Sequence, residues 1–404
     1  MGKNTKFTGQ PLLGQIINLV SRSAINRISK EYDVDRYVKK FDGYTHFVTM
    51  LYAVLKDYTS LREVCINLLS DAHKLKHLGI NYCVNKSTFA DANKRRSSKF
   101  FEAIYMNLYK RYAPSLSDSC LNKQQLSRLY IVDSTTISLF KQILRGAGRN
   151  PKHGKKKGGI KAHVVIRSDE DVPCLVKYTA AAKHDHMLLK YLDLPKGSFL
   201  TFNKAYVDYA AYERFTQNTI YYVTKLKSNA KYVSDIEIDI PDNIDSSIIK
   251  DEIIYFNYGK QKKNKHKTRR IAQWDNDKRK VIVYISNNFE LDAESIVNIY
   301  KKRWQIELLF KRLKQNYPLK YFLGDNVNAI EIQIWIAMIA NLLMSIIKSK
   351  LTKKKMAFST MLSLIRTQLM YYVNLLKLLE DPEKTWKDTN KTQHRDYQLF
   401  LFDT

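Results

Sequence analysis

At Leu129 the hydrophobic pattern changes period. Before it, apolar residues recur at helical spacing, first Leu12, Ile16, Ile17, Val20 and Ile25, then Phe47, Leu51, Val54 and Leu55. After it they come in short β-branched runs: LYIVDSTTISLF, GGIKAHVVIRS, CLVKYTAA, SFLTFN and TIYYVTKLK. The short helical segments MLLKYLDL and YAAYERFTQN fall between these runs. Strands mixed with helices predict an α/β layer structure behind a helical N-terminal part. IEIDIPDN, IIKDEIIYFNYG and RKVIVYIS read as antiparallel strands, with the basic run Lys260–Arg270 as a loop between the last two. From Asp292 the chain is helical again.

The charge balance narrows the partner class. Lys and Arg number 68 against 39 Asp and Glu, a formal net charge of +29, while 45% of residues are apolar. Such a chain can build a core, and its charge favours a polyanion, nucleic acid or an anionic membrane. The longest apolar stretch, Ile334–Ile347, falls short of the ~20 residues a spanning helix needs and reads as a buried core helix. The N-terminus shows neither an apolar signal core nor an acylation pattern. Cys65, Cys83, Cys120 and Cys174 form no Cys-x-x-Cys pair, so neither zinc nor a disulfide framework is expected.

Three constellations carry chemistry. Asp133 sits at the end of an apolar strand, where a carboxylate must pair, bind metal or cap a turn. In YKKRWQIELLFKRLKQN, read as one helix, Tyr300, Arg303, Glu307 and Lys314 fall within about 60° of arc. An acid flanked by cations on one face suits a metal ligand beside phosphate, and any single pair also suits a surface salt bridge. The third is Asn203, at the end of the fourth strand, where α/β sheets gather functional residues. Lys94, Arg95 and Arg96, on the early turns of a helix opening near Ser87-Thr88, read either as a groove-entering face or as a solvated one. His184-Asp185-His186 is read as structural, because two histidines at i,i+2 share no helix face, and His163, on the strand antiparallel to that of Asp133, as a satisfied core histidine.

The spacing Tyr-x2-Arg-x3-Glu-x6-Lys over Tyr300, Arg303, Glu307 and Lys314 resembles the signature of the DDE transposases of the insertion-sequence-4 family. The resemblance covers nearly the whole chain. It implies an RNase H-like mixed sheet flanked by helices, interrupted by a β-rich insertion and preceded by a helical domain. The implied divisions are a DNA-binding domain at 1–115, a catalytic core at 125–230 and 289–350, an insertion at 231–288, and a C-terminal helical region at 351–404. The implied activity is cleavage and transfer of DNA strands with two Mg2+ or Mn2+ ions, in the bacterial cytoplasm, by a homodimer holding double-stranded inverted repeats and target DNA. Asp133, the strand-four position and Glu307 would be catalytic, Asp133 and Glu307 metal ligands, and Tyr300, Arg303 and Lys314 phosphate contacts. Trp304 and Trp274 are candidates to stack a flipped base. The departure is Asn203, where the family has Asp; Asp208 lies five residues on. Loss of that carboxylate is expected to weaken metal binding and turnover. The other reading is an inactive end-binding protein or repressor.

Overall fold

The computed structural model of the chain describes residues 9–116, 128–138, 159–180, 185–240, 247–259, 261, 263–351, 356–385 and 387. His184, Cys120, Lys260, Lys262 and the tail 388–404 lie outside the described residues. Two compact units emerge, a helical one from Met1–Leu116 with Leu313–Thr404 and a sheet unit from Ser117–Arg312.

The sheet unit holds nine strands: β1 Leu129–Ser138, β2 Gly159–Arg167, β3 Pro173–Ala180, β4 Phe199–Phe202, β5 Tyr221–Lys225, β6 Val233–Glu237, β7 Ile248–Tyr258, β8 Asn264–Asp275 and β9 Lys280–Ser286. Their spatial order is β3-β2-β1-β4-β5-β9-β8-β7-β6. The first five form the RNase H-like arrangement: β2 runs antiparallel to β1 and β3, while β1, β4 and β5 are parallel. Strand β9 then pairs antiparallel with β5, so the segment from β6 to β9 extends the same sheet.

Apolar side chains cover both faces. Val132, Leu200, Phe202 and Tyr222 pack with Leu188, Leu189, Tyr212 and Phe215. These last four come from the 3-10 segment Asp185–Tyr191 and the helix Tyr209–Gln217. Val223, Ile271 and Tyr284 pack with Ile296, Val297 and Tyr300 of the helix Ala293–Lys301. Tyr222 and its neighbour Val223 belong to opposite clusters, as the two-residue alternation of a strand requires.

The basic run is not a loop. From Asn264 it is β8, with Lys265 and Lys267 exposed and His266 and Thr268 buried. The exposed charges of Lys265 and Lys267, with Arg269 and Arg270 following, hid the period of two. The inward pair bonds Tyr222: its hydroxyl lies 2.8 Å from His266 Nε2 and from Thr268 Oγ1. Arg269 is also buried, in a bidentate pair with Asp251.

In the helical unit the apolar stretch belongs to a longer helix, Val327–Ser349, of 23 residues. Among the described helices it alone is long and apolar enough to cross a membrane, yet 89% of its most apolar window is buried within the protein. It packs on helices Gly43–Lys56, Lys86–Arg95 and Ser98–Leu116. It extends beyond the apolar stretch because Asn326 caps it through Ala329 N–H, and because buried Gln333 is satisfied. The Gln333 amide accepts from Leu323 N–H and donates to the carbonyls of Pro318 and Tyr321.

Candidate active site

Strand pairing brings the first two candidate residues together. Val132 on β1 pairs with Phe202 on β4, the last step of that parallel ladder. Asp133 and Asn203 are the next residues on the two chains. Asp133 is therefore not at the end of its strand, since β1 continues to Ser138 alongside β2. It lies where the parallel ladder stops and β4 turns away. The turn is local: Asn203 Oδ1 accepts from Ala205 N–H at 3.4 Å, and its carbonyl accepts from Tyr206 N–H at 3.0 Å. A short polar side chain that bonds backbone two residues on is the chemistry of an Asx turn, open to Asn and Asp alike.

The third candidate, Glu307, comes from the last part of the sheet unit's chain. The segment 293–316 is not one continuous helix. It breaks after Lys301 and restarts at Trp304. Bonds of the i to i−3 type, Arg303 N–H to Tyr300 O and Gln305 N–H to Lys302 O, tighten the joint. The signature residues are thus split between two helices and the turn joining them, with Arg303 on the turn. Its guanidinium donates to Asp133 Oδ2 at 3.0 Å through Nη1, and to Glu307 Oε1 through Nη2. Two carboxylates distant in sequence therefore meet on one cation.

Around them the site is half closed. Burial raises the Asp133 carboxyl above its ordinary range; the Ser134 N–H and Arg303 oppose the shift, while Glu307 and Asp185 add to it. The Arg303 pKa is raised: burial works against the charged form, but the Glu307 hydrogen bond and the nearby acids outweigh it. Tyr300 is buried against Tyr284, with Lys225 Nζ at 5.0 Å from its ring centre and Arg303 Cζ at 5.7 Å. Lys314 lies on the same helix as Glu307 but beyond Arg312, in the helical unit.

Other expectations fare differently. Lys94, Arg95 and Arg96 are not on the opening turns of a helix. They close the helix Lys86–Arg95, which Asn85 rather than Ser87 or Thr88 caps. Lys94 and Arg95 are exposed, the latter paired with Asp91. Arg96 is buried and donates to the carbonyls of Phe41 and Asp42. The three cations therefore do not form one solvent-facing row. Trp304 is 59% exposed and Trp274 40%. Asp208 caps the helix Tyr209–Gln217 through Ala211 N–H.

His163 is a satisfied core histidine, 2.8 Å from Thr179 Oγ1 and 3.4 Å from the Tyr206 hydroxyl. Burial pushes its pKa down to about 4. Asp185 accepts from Ser134 Oγ at 3.0 Å, next in the chain to Asp133, and pairs with Lys161 Nζ at 2.9 Å. Sequence reading missed Lys161, although it shares a β2 face with His163 by alternation.

The oxygen donors of Asp133, Glu307 and Asn203 suit hard divalent ions. The two carboxylates already share a cation, so the position tolerates positive charge. Among the described residues no group of three His, Cys, Asp or Glu side chains gathers there.

Comparison with known proteins gives the family. Residues 124–343 match the family model described as "Transposase DDE domain". Residues 8–81 match one described as "Domain of unknown function (DUF4372)". A Sinorhizobium fredii protein named as transposase y4zB is 31% identical over 261 residues, which span 64% of this chain and 70% of that one. A Geobacillus stearothermophilus protein named as the transposase for insertion sequence element IS5377 is 24% identical over 67% of this chain and 71% of its own. A Synechocystis protein named as the transposase for IS4SA is 26% identical over 70% and 76%. With the DDE model matching more than half of its length, the chain belongs to the DDE transposases: it is an insertion-sequence transposase, of a family that acts on DNA with divalent metal.

Proposed function

We propose that the chain binds the terminal inverted repeats of its own element and carries out Mg2+- or Mn2+-dependent strand cleavage and transfer, impaired by Asn203. The observation that supports this most is the convergence of Asp133 and Glu307 on Arg303, one residue past the point where β1 and β4 stop pairing.

Two divalent ions, when bound, supply charge neutralisation and an activated water for in-line displacement at phosphorus. Asp133 and Glu307 would hold them through carboxylate oxygens. Asn203 would offer one neutral amide oxygen where a charged one is needed to offset the repulsion between two cations. Tyr300, Arg303 and Lys314 would bind and orient the scissile phosphate, the guanidinium through paired N–H donors. Segment 1–115 would carry end binding, and 125–230 with 289–350 the chemistry. A homodimer would hold two ends on the nucleoid, in the bacterial cytoplasm, without a membrane.

Asn203 itself favours a second reading, an inactive end-binding protein that occupies inverted repeats and blocks active copies. A nicking assay on end-containing duplex in Mg2+ tests the first reading. Cleavage lost in Glu307→Gln, with DNA binding intact, supports it. Cleavage that persists in that variant excludes Glu307 as a metal ligand.

A further inference from the structure

A groove of about 640 Å³ lies between the segment matched by a domain of unknown function, residues 8–81, and the helix that follows it. One wall is the turn between helices Arg22–Glu31 and Gly43–Lys56, and the other is the helix Lys86–Arg95. Its lining is basic and aromatic. Arg36, Lys39, Lys40 and Arg95 are exposed around it. Lys39 and Lys40 have no carboxylate partner among the described residues, and Lys40 Nζ lies 5.8 Å from the Tyr82 ring centre.

The turn is held firmly. Asp35 accepts from Gly43 N–H at 2.6 Å and from Ser29 Oγ, while Arg96 donates to the carbonyls of Phe41 and Asp42. Tyr37 projects from this fixed turn. Its φ is +58°, in the left-handed region that bulky side chains rarely adopt, and its ring is 89% exposed. A strained backbone normally persists where packing or function compensates. Packing does not do so here, because the ring contacts little beyond the Arg36 guanidinium, 5.1 Å from its centre.

We infer that this groove binds the phosphodiester backbone of duplex DNA, with Tyr37 packing against a deoxyribose beside the phosphates taken by Arg36, Lys39 and Lys40. The inference rests on the DNA-binding reading above and deepens it. Arg36 is bridged to Asp33 and Arg95 to Asp91, but Lys39 and Lys40 leave the groove with net positive charge, which matches a polyanion. An exposed ring beside them adds apolar contact with a sugar, which carries no sequence information. The buried Arg96 shapes the groove and does not read bases. The turn is organised before DNA arrives, so little ordering cost falls on binding.

The test uses the full-length chain and short labelled duplexes, one carrying the element's end sequence and one scrambled, titrated by anisotropy over a range of salt. Tyr37→Gly suits the left-handed backbone, so its melting temperature is expected to hold or rise while affinity for both duplexes falls at least about fivefold. Tyr37→Phe, which keeps the ring, is expected to bind like wild type. Lys39→Ala with Lys40→Ala is expected to flatten the salt slope by about two. Unchanged affinity in Tyr37→Gly, or an unchanged slope in the double variant, would overturn the groove assignment. A wild-type chain without salt-dependent DNA binding would overturn the underlying reading as well, which separates the two failures.

Discussion

Asn203 stands one residue past Phe202, and Asp133 one residue past Val132, the residue that Phe202 pairs with across the parallel ladder. Each therefore directly follows one member of the last pair of that ladder, Asp133 within β1 and Asn203 in the turn after β4. The carboxylate at one position and the amide at the other differ by one negative charge, and the Arg303 guanidinium donates to both Asp133 and Glu307.

Removing the Asp208 cap is a matter of stability. Asp208→Ala leaves Ala211 N–H without its acceptor and is expected to cost about 1 kcal/mol, while Asp208→Asn keeps the cap and costs little. Urea unfolding of both variants checks this. Equal loss in the two would show that charge, rather than capping, is what matters at 208.

The buried pair between Asp251 and Arg269 links β7 to β8. Nε–Oδ1 is 2.9 Å and Nη2–Oδ2 is 2.6 Å, and both residues are almost fully buried. Asp251→Ala strands a buried guanidinium and is expected to destabilise by about 3–5 kcal/mol. A loss below 1 kcal/mol in chemical denaturation would mean that the guanidinium reaches water.

Asn341 is the reverse case. It is buried in the helix Val327–Ser349, and neither its amide oxygen nor its nitrogen has a hydrogen-bond partner. Asn341→Leu is expected to raise stability by about 1–3 kcal/mol. A lower melting temperature would show that the amide is satisfied in solution.

Acid should loosen both units through buried histidines. His46, bonded to Asn93, is pushed down to about 3 by burial, with Arg96 adding to the effect, and burial takes His163 down to about 4. The unfolded rings take up protons near pH 6.5, the folded ones far lower. Their contribution is therefore complete above pH 6.5 and is lost as pH falls towards those values, at roughly 1.4 kcal/mol per pH unit for each ring. Stability that stays flat from pH 6.5 to 5 would contradict the burial of these side chains.

Much of the core was legible in the sequence because apolar alternation marks strands directly: β1 to β5 and the helix Tyr209–Gln217 lie close to where the residues suggest. Where charge masked the pattern, it failed. The outward cations of β8 disguised a strand as a loop. Helical periodicity also ran unbroken through Tyr300, Arg303 and Glu307, because a joint of three-residue hydrogen bonds leaves no mark in side-chain identity. The partners Asp185 and Lys161 come from separate segments, and only tertiary pairing joins them.

The most direct test is a metal-dependent nicking assay on end-containing duplex, comparing wild type, Asn203→Asp and Asp208→Asn. Asn203→Asp changes one atom's identity in a turn that accepts either residue, so the fold should hold. Weak or absent wild-type cleavage, rising by orders of magnitude in Asn203→Asp and unaffected by Asp208→Asn, is the expected result; each ~1.4 kcal/mol of added transition-state stabilisation gives tenfold. Robust wild-type cleavage that Asn203→Asp does not improve and Asp208→Asn abolishes would contradict the assignment of residue 203 as the missing carboxylate.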